Sequence, residues 1–284
     1  MIKDFYDKLL YRMRRTMAHS IIYQRFSHKK LDWKNPVMYD EKIHWLMAKV
    51  YDESYGRYAD KLAVRDYVTE CGLSDTLIPL IGSGYKNVDD IDWKSLPNKF
   101  IIKANHGSNA NFYEICSDKA SFDIEKAKSK MQKSLKMNKA IYNCQYQYAN
   151  IKPCLLIESL LEQANGKRLT DYKVVCSYGI PYYILVCNDR DNGRDYYSLN
   201  WEYLEFTKKE YRNNHKEPKP DCLKKMLECA AILSKPFPLA RVDFYLINGK
   251  VYFGEITLTP SAGCHTYLTE IGQRKLGEAI KLPN

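Results

Sequence analysis

The sequence predicts an α+β protein built from two lobes and preceded by a mostly helical N-terminal region. Apolar residues recur at helical spacing through residues 1–75. After residue 97, short β-rich runs alternate with helical segments, and two pairs of those runs flank glycine turns. With 284 residues, of which 45% are hydrophobic, the chain is long enough to bury a sizeable core. We expect a helical region with its connector over 1–97, one lobe over 98–160 and a second lobe over 161–284.

The N-terminal region is expected to form helices that lead into a turn-rich connector. The stretch DEKIHWLMAKVYDE carries apolar residues at positions 43, 46, 47 and 50, which is the spacing of one helix face. A further helix is predicted to begin near Asp60 and to stop at Gly72, because glycine commonly follows the last helical turn. The next segment, LSDTLIPLIGSGYKNVDDIDWKSLPN, is rich in turn-forming residues and predicts a connector.

Strand and helix patterns alternate through the rest of the chain. In order they are a strand in KFIIKANHGS, a helix in DIEKAKSKMQKSLKMNKAIYN, a buried strand in IKPCLLIESLL, a hairpin in LTDYKVVCSYGIPYYILVCNDR, a helix in CLKKMLECAAILSKPF and a hairpin in ARVDFYLINGKVYFGEITLTP. Pro236 ends the second of these helices, because proline cannot continue a helix. This order of elements is typical of α+β folds.

Cysteine usage and the N-terminal residues indicate a reducing compartment. The nine cysteines lie mostly within apolar runs and never as C-x-x-C, which disfavours a disulfide framework or a structural zinc site. No apolar run approaches the roughly 20 residues that span a bilayer. Asp4 and Asp7 fall where a signal peptide has no acids. We therefore expect a cytoplasmic protein.

The formal net charge of +10 leaves two interpretations of the basic N-terminus open. Phe5, Leu9, Met13 and Met17 recur at helical spacing among lysines and arginines. This pattern fits an amphipathic helix packed on the body of the protein, and it also fits a basic helix resting on an anionic membrane. Nucleic acid is not expected as a partner, because the lysines are dispersed and no helix-turn-helix, zinc-finger or RNP-like pattern occurs.

The C-terminal hairpin carries an acid within each of two runs that otherwise resemble buried strands. Burying an ionised carboxylate is costly unless it is paired or binds a metal, so Asp243 and Glu255 are expected to share a cation. Side chains alternate between strand faces, so the acids share a face only if the connection shifts the pairing by an odd number of residues. We expect a three-residue loop over residues 247–249 to do this.

The expected loop defines the neighbours of the two acids. It places Arg241 opposite Glu255, with Asp243 one diagonal away, and Thr257 then shares the same face. The result would be a site of mixed charge. The alternative is an exposed hairpin whose acids face solvent and pair with lysines.

Five segments of the chain resemble one known family in their order. They are NPVMYDEKIHWL, YADKLAVRDYV, FIIKANHGS, TDYKVVC and RVDFYLINGKVYFGEITLTP. They resemble the TupA-like branch of the ATP-grasp superfamily, which is named for teichuronopeptide synthesis and is associated with genes for cell-surface polysaccharides. The resemblance runs from about residue 35 to the end of the chain. It implies an ATP-grasp fold, in which two α+β lobes hold ATP between them.

The resemblance implies a nucleotide site between the lobes. Lys103 matches the lysine that reaches the α- and β-phosphates as a flexible point charge. The loop that follows would cover the phosphates, and the segment around Glu158 would meet the adenine edge, with Glu162 near the ribose. The residues that the resemblance assigns to ATP are Lys103, His106, Gly107, Ser108, Glu158, Ser159, Leu160, Leu161 and Glu162.

The same resemblance implies a magnesium site and the groups that act on the transferred phosphate. Asp243 and Glu255 match the carboxylates that hold Mg²⁺ against the triphosphate, and hard cations favour such oxygen ligands. Lys173 and Arg241 match cations that face the transferring group. Thr257 is included as a metal ligand although it departs from the family pattern, which often has asparagine there, so a hydroxyl replaces an amide oxygen.

Two arginines in NDRDNGRDYY are candidates for binding the carboxylate of an acceptor substrate. Arg190 and Arg194 follow a β-rich run, and the planar guanidinium group suits bidentate carboxylate binding. A charged surface loop is the alternative for this segment.

The implied function is an ATP-dependent carboxylate–amine ligase of surface or capsular polysaccharide biosynthesis. It would join an amino acid or other amine to the carboxyl of a hexuronic acid through an acyl phosphate, with release of ADP and phosphate. Its partners would be a uronic-acid-containing saccharide and an amine, and peripheral contact with the inner membrane surface is left open. The alternatives are a polysaccharide glycosyltransferase, a kinase on the same fold and a non-catalytic scaffold.

Overall fold

The computed structural model describes residues 2–107, 109–163, 169–188, 193–213 and 215–283, with side chains from residue 5 onward. Ser108 and Arg190, predicted for ATP and acceptor binding, lie outside the described residues.

Helices dominate the N-terminal third and also cover the second of two sheets. The α-helices are α1 (Ile2–Arg12), α2 (Arg15–Ser27), α3 (Tyr39–Lys49), α4 (Gly56–Ala59), α5 (Val64–Glu70), α6 (Ile124–Leu135), α7 (Leu223–Ser234) and α8 (Glu270–Ala279). Short 3₁₀ turns lie at Glu53–Tyr55, Ser74–Thr76, Val88–Asp90, Ala110–Phe112, Lys139–Cys144, Tyr146–Tyr148, Lys209–Tyr211 and Pro260–Gly263. In the described part of the chain, no helix has both the length and the apolar character to cross a bilayer.

The helix predicted to begin near Asp60 begins four residues later, at Val64. The Asp60 carboxylate accepts hydrogen bonds from the backbone N–H groups of Leu62 and Ala63, at 2.8 and 3.2 Å. Short aspartate side chains compete with helical hydrogen bonding in this way and favour turns. A turn therefore precedes α5, and it contains Lys61.

The strands form two separate antiparallel sheets. They are β1 (Leu80–Tyr85), β2 (Phe100–Ala104), β3 (Tyr113–Cys116), β4 (Leu155–Ser159), β5 (Asp171–Ser177), β6 (Ile180–Cys187), β7 (Asp195–Tyr197), β8 (Tyr203–Leu204), β9 (Ala240–Ile247) and β10 (Lys250–Thr257). The first sheet has the order β1-β4-β2-β3, and the second has the order β10-β9-β5-β6-β7-β8. This arrangement of helices and antiparallel sheets confirms the α+β prediction.

Strand β1 lies where the sequence predicts a turn-rich connector, and that prediction is wrong. Leu80–Tyr85 pairs with β4 at the edge of the first sheet, with register irregularities near Gly82 and Gly84. Glycines weaken the strand pattern, and most side chains of this edge strand are exposed, so its apolar residues do not alternate as they do in a half-buried strand.

Each sheet has its own hydrophobic core. The core of the first sheet includes the fully buried Phe100, Ile102 and Ile157, with Met131 of α6 packed against them. The core of the second sheet draws helices from both ends of the chain: α3 and α5 from the N-terminal region, and α7 and α8 from the C-terminal half. The N-terminal helices are therefore part of the scaffold that holds the second sheet.

The hairpin of β9 and β10 brings its two acids together by a different device from the expected one. The turn has two residues, Asn248 and Gly249, with φ of 50° and 74°, and Ile247 pairs with Lys250. The predicted three-residue loop is therefore wrong. A β-bulge between Phe253 and Glu255 supplies the missing one-residue shift instead.

The bulge sets the final pairing of the site residues. Asp243 stands directly opposite Glu255, and Arg241 stands opposite Thr257, whereas the expected register had placed Arg241 opposite Glu255. All four side chains are nevertheless linked on one face of the hairpin, as the contacts below show. The bulge favours glycine at position 254, because a Cβ there would make a tight contact of 3.0 Å with the backbone oxygen of Asp243.

Candidate active site

A cavity of about 390 Å³ lies between the two sheets. Its walls include Ile101, Tyr113 and Ile115 from the first sheet and Asp171 and Tyr245 from the second. The volume lies within the range of small-molecule sites. The predicted site residues that line this cavity are Lys103, Gly107, Ser159, Leu160, Leu161, Lys173, Asp243 and Glu255.

Asp243 is the centre of an ion network on the second sheet. Arg241 donates to both of its carboxylate oxygens, from Nε to Oδ1 at 2.7 Å and from Nη2 to Oδ2 at 2.8 Å. Lys173 Nζ lies 2.8 Å from Oδ2 and 3.4 Å from Asp171. Strand pairing produces this contact, because Lys173 on β5 is directly opposite Asp243 on β9. The network satisfies a carboxylate that is only 4% exposed.

Glu255 is bonded to a lysine from the N-terminal region. Lys61 Nζ lies 2.9 Å from Glu255 Oε2, and Thr257 Oγ1 donates to Oε1 at 3.0 Å. Thr257 also accepts from Arg241 Nη2 at 3.2 Å, so its hydroxyl connects the two acids through Arg241. Burial alone would raise the pKa of Glu255, but Lys61, Arg241 and Lys173 outweigh burial and lower it, which keeps the group ionised.

Lys103 of the first sheet is held by Glu158. Lys103 Nζ lies 2.7 Å from Glu158 Oε2, and Arg65 Nη1 lies 2.9 Å from Oε1. Arg65 also donates to the carbonyl oxygen of Ile78 at 2.9 Å. The Glu158 carboxylate thus fixes the ammonium group at the cavity wall, and both of its oxygens are bonded to cations.

We call the cavity and the ion pairs around it the cleft. The charges of these ion pairs nearly balance. They join five cationic and four acidic side chains: Lys61, Arg65, Lys103, Lys173, Arg241, Glu158, Asp171, Asp243 and Glu255. A polyphosphate entering the cavity could exchange its own oxygens for the carboxylates as partners of the lysines. The carboxylates would then be available to a cation that arrives with it.

The donor set around Asp243 and Glu255 fits Mg²⁺ that is shared with a phosphate ligand. Among the described residues, no cluster of three or more His, Cys, Asp or Glu side chains is arranged to hold a metal. Mg²⁺ commonly binds through one or two carboxylates together with substrate phosphates and water, and it does not require a cage made only of protein groups. Two neighbouring carboxylates beside a lysine-lined cavity meet that requirement.

Comparison with known families decides where this architecture belongs. A family model described as TupA-like ATPgrasp matches residues 41–281. The chain belongs to the TupA-like ATP-grasp family. The match confirms the resemblance predicted from the five segments, and it identifies the fold as ATP-grasp, here with an N-terminal helical segment. No curated protein matches the sequence.

Two solved ligase structures resemble this chain, and the first of them supports the ATP-grasp fold. The crystal structure of an L-amino acid ligase from Bacillus licheniformis superposes with a TM-score of 0.52, covering 93% of this chain and 62% of that one at 13% identity. The structure of D-alanine-D-alanine ligase from Helicobacter pylori gives a TM-score of 0.44, covering 80% and 60% at 14% identity. The chain thus spans about three fifths of the length of these two ligases. The likeness to the first structure shows the fold and not the reaction.

In this TupA-like chain, His106 is built into the first lobe. Its Nε2 lies 3.0 Å from the carbonyl oxygen of Met137, its Nδ1 lies 3.2 Å from Asn105 Oδ1, and its ring packs edge-on against Phe112. Burial lowers the pKa of His106. Its contacts anchor the loop, and next to it Gly107 has no room for a Cβ because Phe112 occupies that space.

Two predicted residues have contacts away from the central network. Glu162 forms an exposed ion pair with Lys99 at 2.6 Å. The Arg194 guanidinium lies 4.5 Å from the ring centroid of Tyr267, and the Arg194 backbone N–H donates to the Tyr211 carbonyl at 2.8 Å.

Sequence reasoning assigned no role to Lys61 or Arg65. Both lie within YADKLAVRDYV, one of the five segments that resemble the family. That resemblance is the sequence feature that could have indicated a role for them. Their partners are 194 and 93 residues away in the chain, so no local pattern indicates the pairing.

Proposed function

We propose that this protein is an ATP-dependent carboxylate–amine ligase that acts in surface or capsular polysaccharide biosynthesis. The observation that carries the proposal is the single cleft in which Lys103 of the first sheet faces Lys173, Asp243 and Glu255 of the second. Membership of the TupA-like ATP-grasp family supports it. The reaction would take place in the cytoplasm, at or near the inner face of the membrane.

The nucleotide is proposed to lie with its base toward the first sheet and its phosphates toward the second. Ile101, Tyr113 and Ile115 offer apolar surface for the adenine ring, and Tyr113 and Ile115 are 37% and 47% exposed. The backbone of residues 159–161 would meet the hydrogen-bonding edge of the base. Lys103 would then contact the phosphates, and Gly107 lies at the wall of the same cavity.

Asp243 and Glu255 are proposed to hold Mg²⁺ jointly with the phosphates. When bound, the ion would neutralise polyphosphate charge and polarise the transferring phosphoryl group. Thr257 orients Glu255 through the hydrogen bond at 3.0 Å, and we propose it as an additional oxygen ligand. Lys61, released from Glu255 in this state, would be free to contact a phosphate oxygen.

The chain's cations would stabilise the phosphoryl transfer. The acceptor carboxylate attacks the γ-phosphorus, the bond to the β-phosphate oxygen breaks, and ADP leaves as an acyl phosphate forms. Lys173 and Arg241 lie within the network that would face the charge developing in this step. An amine then attacks the acyl carbon, and phosphate and a proton leave as the amide forms.

The proposed substrates are a uronic-acid-containing saccharide and an amino acid or other amine. A basic chain suits an anionic acceptor, and Arg194 together with Arg190 is proposed to bind its carboxylate. A kinase on the same fold would use the same cleft and stop after phosphoryl transfer. The products distinguish the two, because a kinase yields a stable phosphoester and a ligase yields an amide.

The test is a matrix of uronic acids and amines, with ADP, phosphate and amide measured for each pair. The proposal predicts ADP and phosphate only when both substrates are present. Lys103→Ala should weaken nucleotide binding, and Glu255→Ala should abolish turnover with a smaller loss of nucleotide affinity. Lys224→Ala is the matched control, because Lys224 is exposed on α7 and is not among the residues that line the cavity. Release of AMP and pyrophosphate, or full activity in Glu255→Ala, would contradict the proposal.

A further inference from the structure

We propose that the exposed face of α1, with the turn that follows it and the first turn of α2, binds the surface of an anionic lipid bilayer. This surface lies outside the cleft and does not depend on the ligase activity. It consists of the exposed residues Phe5, Lys8, Leu9, Arg12, Arg14 and Met17. We call it the N-terminal surface.

One face of α1 is fixed to the body of the protein. Leu10 is 4% exposed and packs in a small core with Ala18 and Ile22 of α2 and with Cys144 and Tyr146 of the following lobe. Asp7, on the same side of the helix, is 5% exposed. The helix is thereby held in a defined orientation, and its other face must point outward.

The outward face of α1 carries large apolar side chains that nothing in the described chain covers. Phe5 is 72% exposed and Leu9 is 51% exposed, and residues four apart lie on the same side of a helix. Met17, just inside α2, is also 51% exposed. Phe5 has the largest exposed fraction among the large hydrophobic residues of the described chain.

Among the side chains that the structure describes around these groups, the exposed charges are cationic; Asp4, which precedes Phe5, lies outside that set. The exposed cations between residues 5 and 30 are Lys8, Arg12, Arg14, Arg25, Lys29 and Lys30. The single acid in that range is Asp7, which is buried. An anionic surface is therefore the complementary partner, and the protruding apolar groups call for one that also accepts hydrocarbon.

An anionic bilayer satisfies both requirements. Interfacial helices insert apolar side chains at the boundary between headgroups and acyl chains, and neighbouring lysines and arginines contact anionic headgroups. A second copy of this chain would bring like charges together. Ile271 on α8 provides a contrast: it is 65% exposed, but the nearby cations Arg274 and Lys275 are paired with Glu270 and Glu278.

The experiment is co-sedimentation of the full chain with vesicles of phosphatidylcholine alone or mixed with phosphatidylglycerol. We expect binding to the mixed vesicles, little binding to the neutral ones, and weaker binding at high salt. Phe5→Ser/Leu9→Ser and Arg12→Gln/Arg14→Gln should each weaken binding roughly tenfold or more. All four side chains are exposed, so each variant should unfold at the wild-type temperature, which circular dichroism verifies.

Two control variants match these changes elsewhere on the surface. Ile271→Ser removes one exposed apolar group, and Lys224→Gln/Lys225→Gln removes two exposed charges on α7. Both should bind vesicles like the wild type. Equal reduction by the controls would show a general effect of charge or polarity and would overturn the assignment to α1.

Other outcomes also overturn the proposal. Absence of vesicle binding, or equal binding to neutral vesicles, excludes an anionic bilayer as the partner. Binding of a single-stranded oligonucleotide that depends on Arg12 and Arg14 but not on Phe5 and Leu9 would assign the cations to nucleic acid. A dimer in light scattering that Phe5→Ser/Leu9→Ser dissociates would assign the apolar face to a second copy of this chain.

Discussion

Lys61 links the N-terminal region to the acids of the second sheet. Its side chain and that of Glu255 are 20% and 27% exposed, so the pair is shielded from solvent enough for its charges to matter. Arg241 Nη2 is the next cation, at 3.7 Å from Glu255. Removing Lys61 would therefore leave Glu255 with Arg241, whose guanidinium group is farther away, and with the hydroxyl of Thr257.

Lys61→Ala should lower the free energy of unfolding at pH 7 by about 1–3 kcal/mol, because a partly buried carboxylate loses its closest cation. The lowered pKa of Glu255 determines how this loss of stability changes with pH. Its stabilisation is present above the unfolded pKa of about 4.3 and is lost as the pH falls through the folded pKa. The difference from the wild type should therefore shrink below about pH 4.

Urea denaturation of both proteins across this pH range measures the effect. Lys99→Ala is the control, since the Lys99–Glu162 pair is about half exposed and should contribute less than about 0.5 kcal/mol. A stability loss in Lys61→Ala that stayed constant from neutral to acid pH would argue against a role of the Glu255 charge.

At the residue scale, the sequence predicts those site residues that stand out from their immediate neighbours in the chain. Asp243 and Glu255 could be predicted because each interrupts an apolar run, and Lys103 because it ends a strand before a glycine loop. Lys61 could not, because a lysine beside Asp60 in a helical stretch resembles any solvated residue. The sequence also did not predict that Glu158 pairs with Lys103, because the two residues are 55 positions apart in the chain.

The β9–β10 hairpin is the element on which the site depends. Its Asn248-Gly249 turn is a common two-residue connection that by itself would leave Asp243 and Glu255 on opposite faces. The bulge at Gly254 shifts the pairing by one residue immediately before Glu255, so that Glu255 comes to lie opposite Asp243. The sequence contained the signal, because a glycine inside a strand pattern often marks a bulge, but it did not distinguish a bulge from a longer loop.

Gly254→Ala should lower the free energy of unfolding by about 1–3 kcal/mol and weaken Mg-nucleotide binding. The added Cβ would lie 3.0 Å from the backbone oxygen of Asp243, so the strand carrying Asp243 must move. Thermal unfolding and calorimetric titration measure the two effects.

Gly56→Ala is the matched control for that change. Its added Cβ would meet Gln147 and Ile151 at 3.4 and 3.6 Å, which are ordinary contacts, and its φ of −55° suits alanine. Stability within about 0.5 kcal/mol of the wild type is expected. If Gly254→Ala behaved in the same way, the bulge could not require glycine.

At the scale of the whole molecule, the cleft is assembled from three parts of the chain. The first sheet supplies Lys103, the second supplies Asp243 and Glu255, and the turn before α5 supplies Lys61. Sequence patterns predicted both lobes, but the packing of α3 and α5 into the core of the second sheet depends on contacts between distant residues. Periodicity identifies an apolar face and does not indicate which partner will cover it.

The balanced charges of the cleft predict that Mg²⁺ binds with nucleotide and not alone. Asp243 and Glu255 are both bonded to cations, and a lone Mg²⁺ would have to displace Lys61, Lys173 and Arg241 with nothing to receive them. Calorimetric titration with MgCl₂ should give no saturable heat, whereas Mg²⁺ with a non-hydrolysable ATP analogue should bind. Saturable binding of Mg²⁺ to the nucleotide-free protein would contradict this charge balance.

The most direct test of the central claim is a crystal structure of the protein with Mg²⁺ and a non-hydrolysable ATP analogue. We predict a nucleotide in the cleft between the sheets, Lys103 bonded to its phosphates, and a metal ion bonded to Asp243, Glu255 and the polyphosphate. A nucleotide bound elsewhere, or a metal ion that contacts neither acid while both keep their bonds to Lys61, Lys173 and Arg241, would contradict the account.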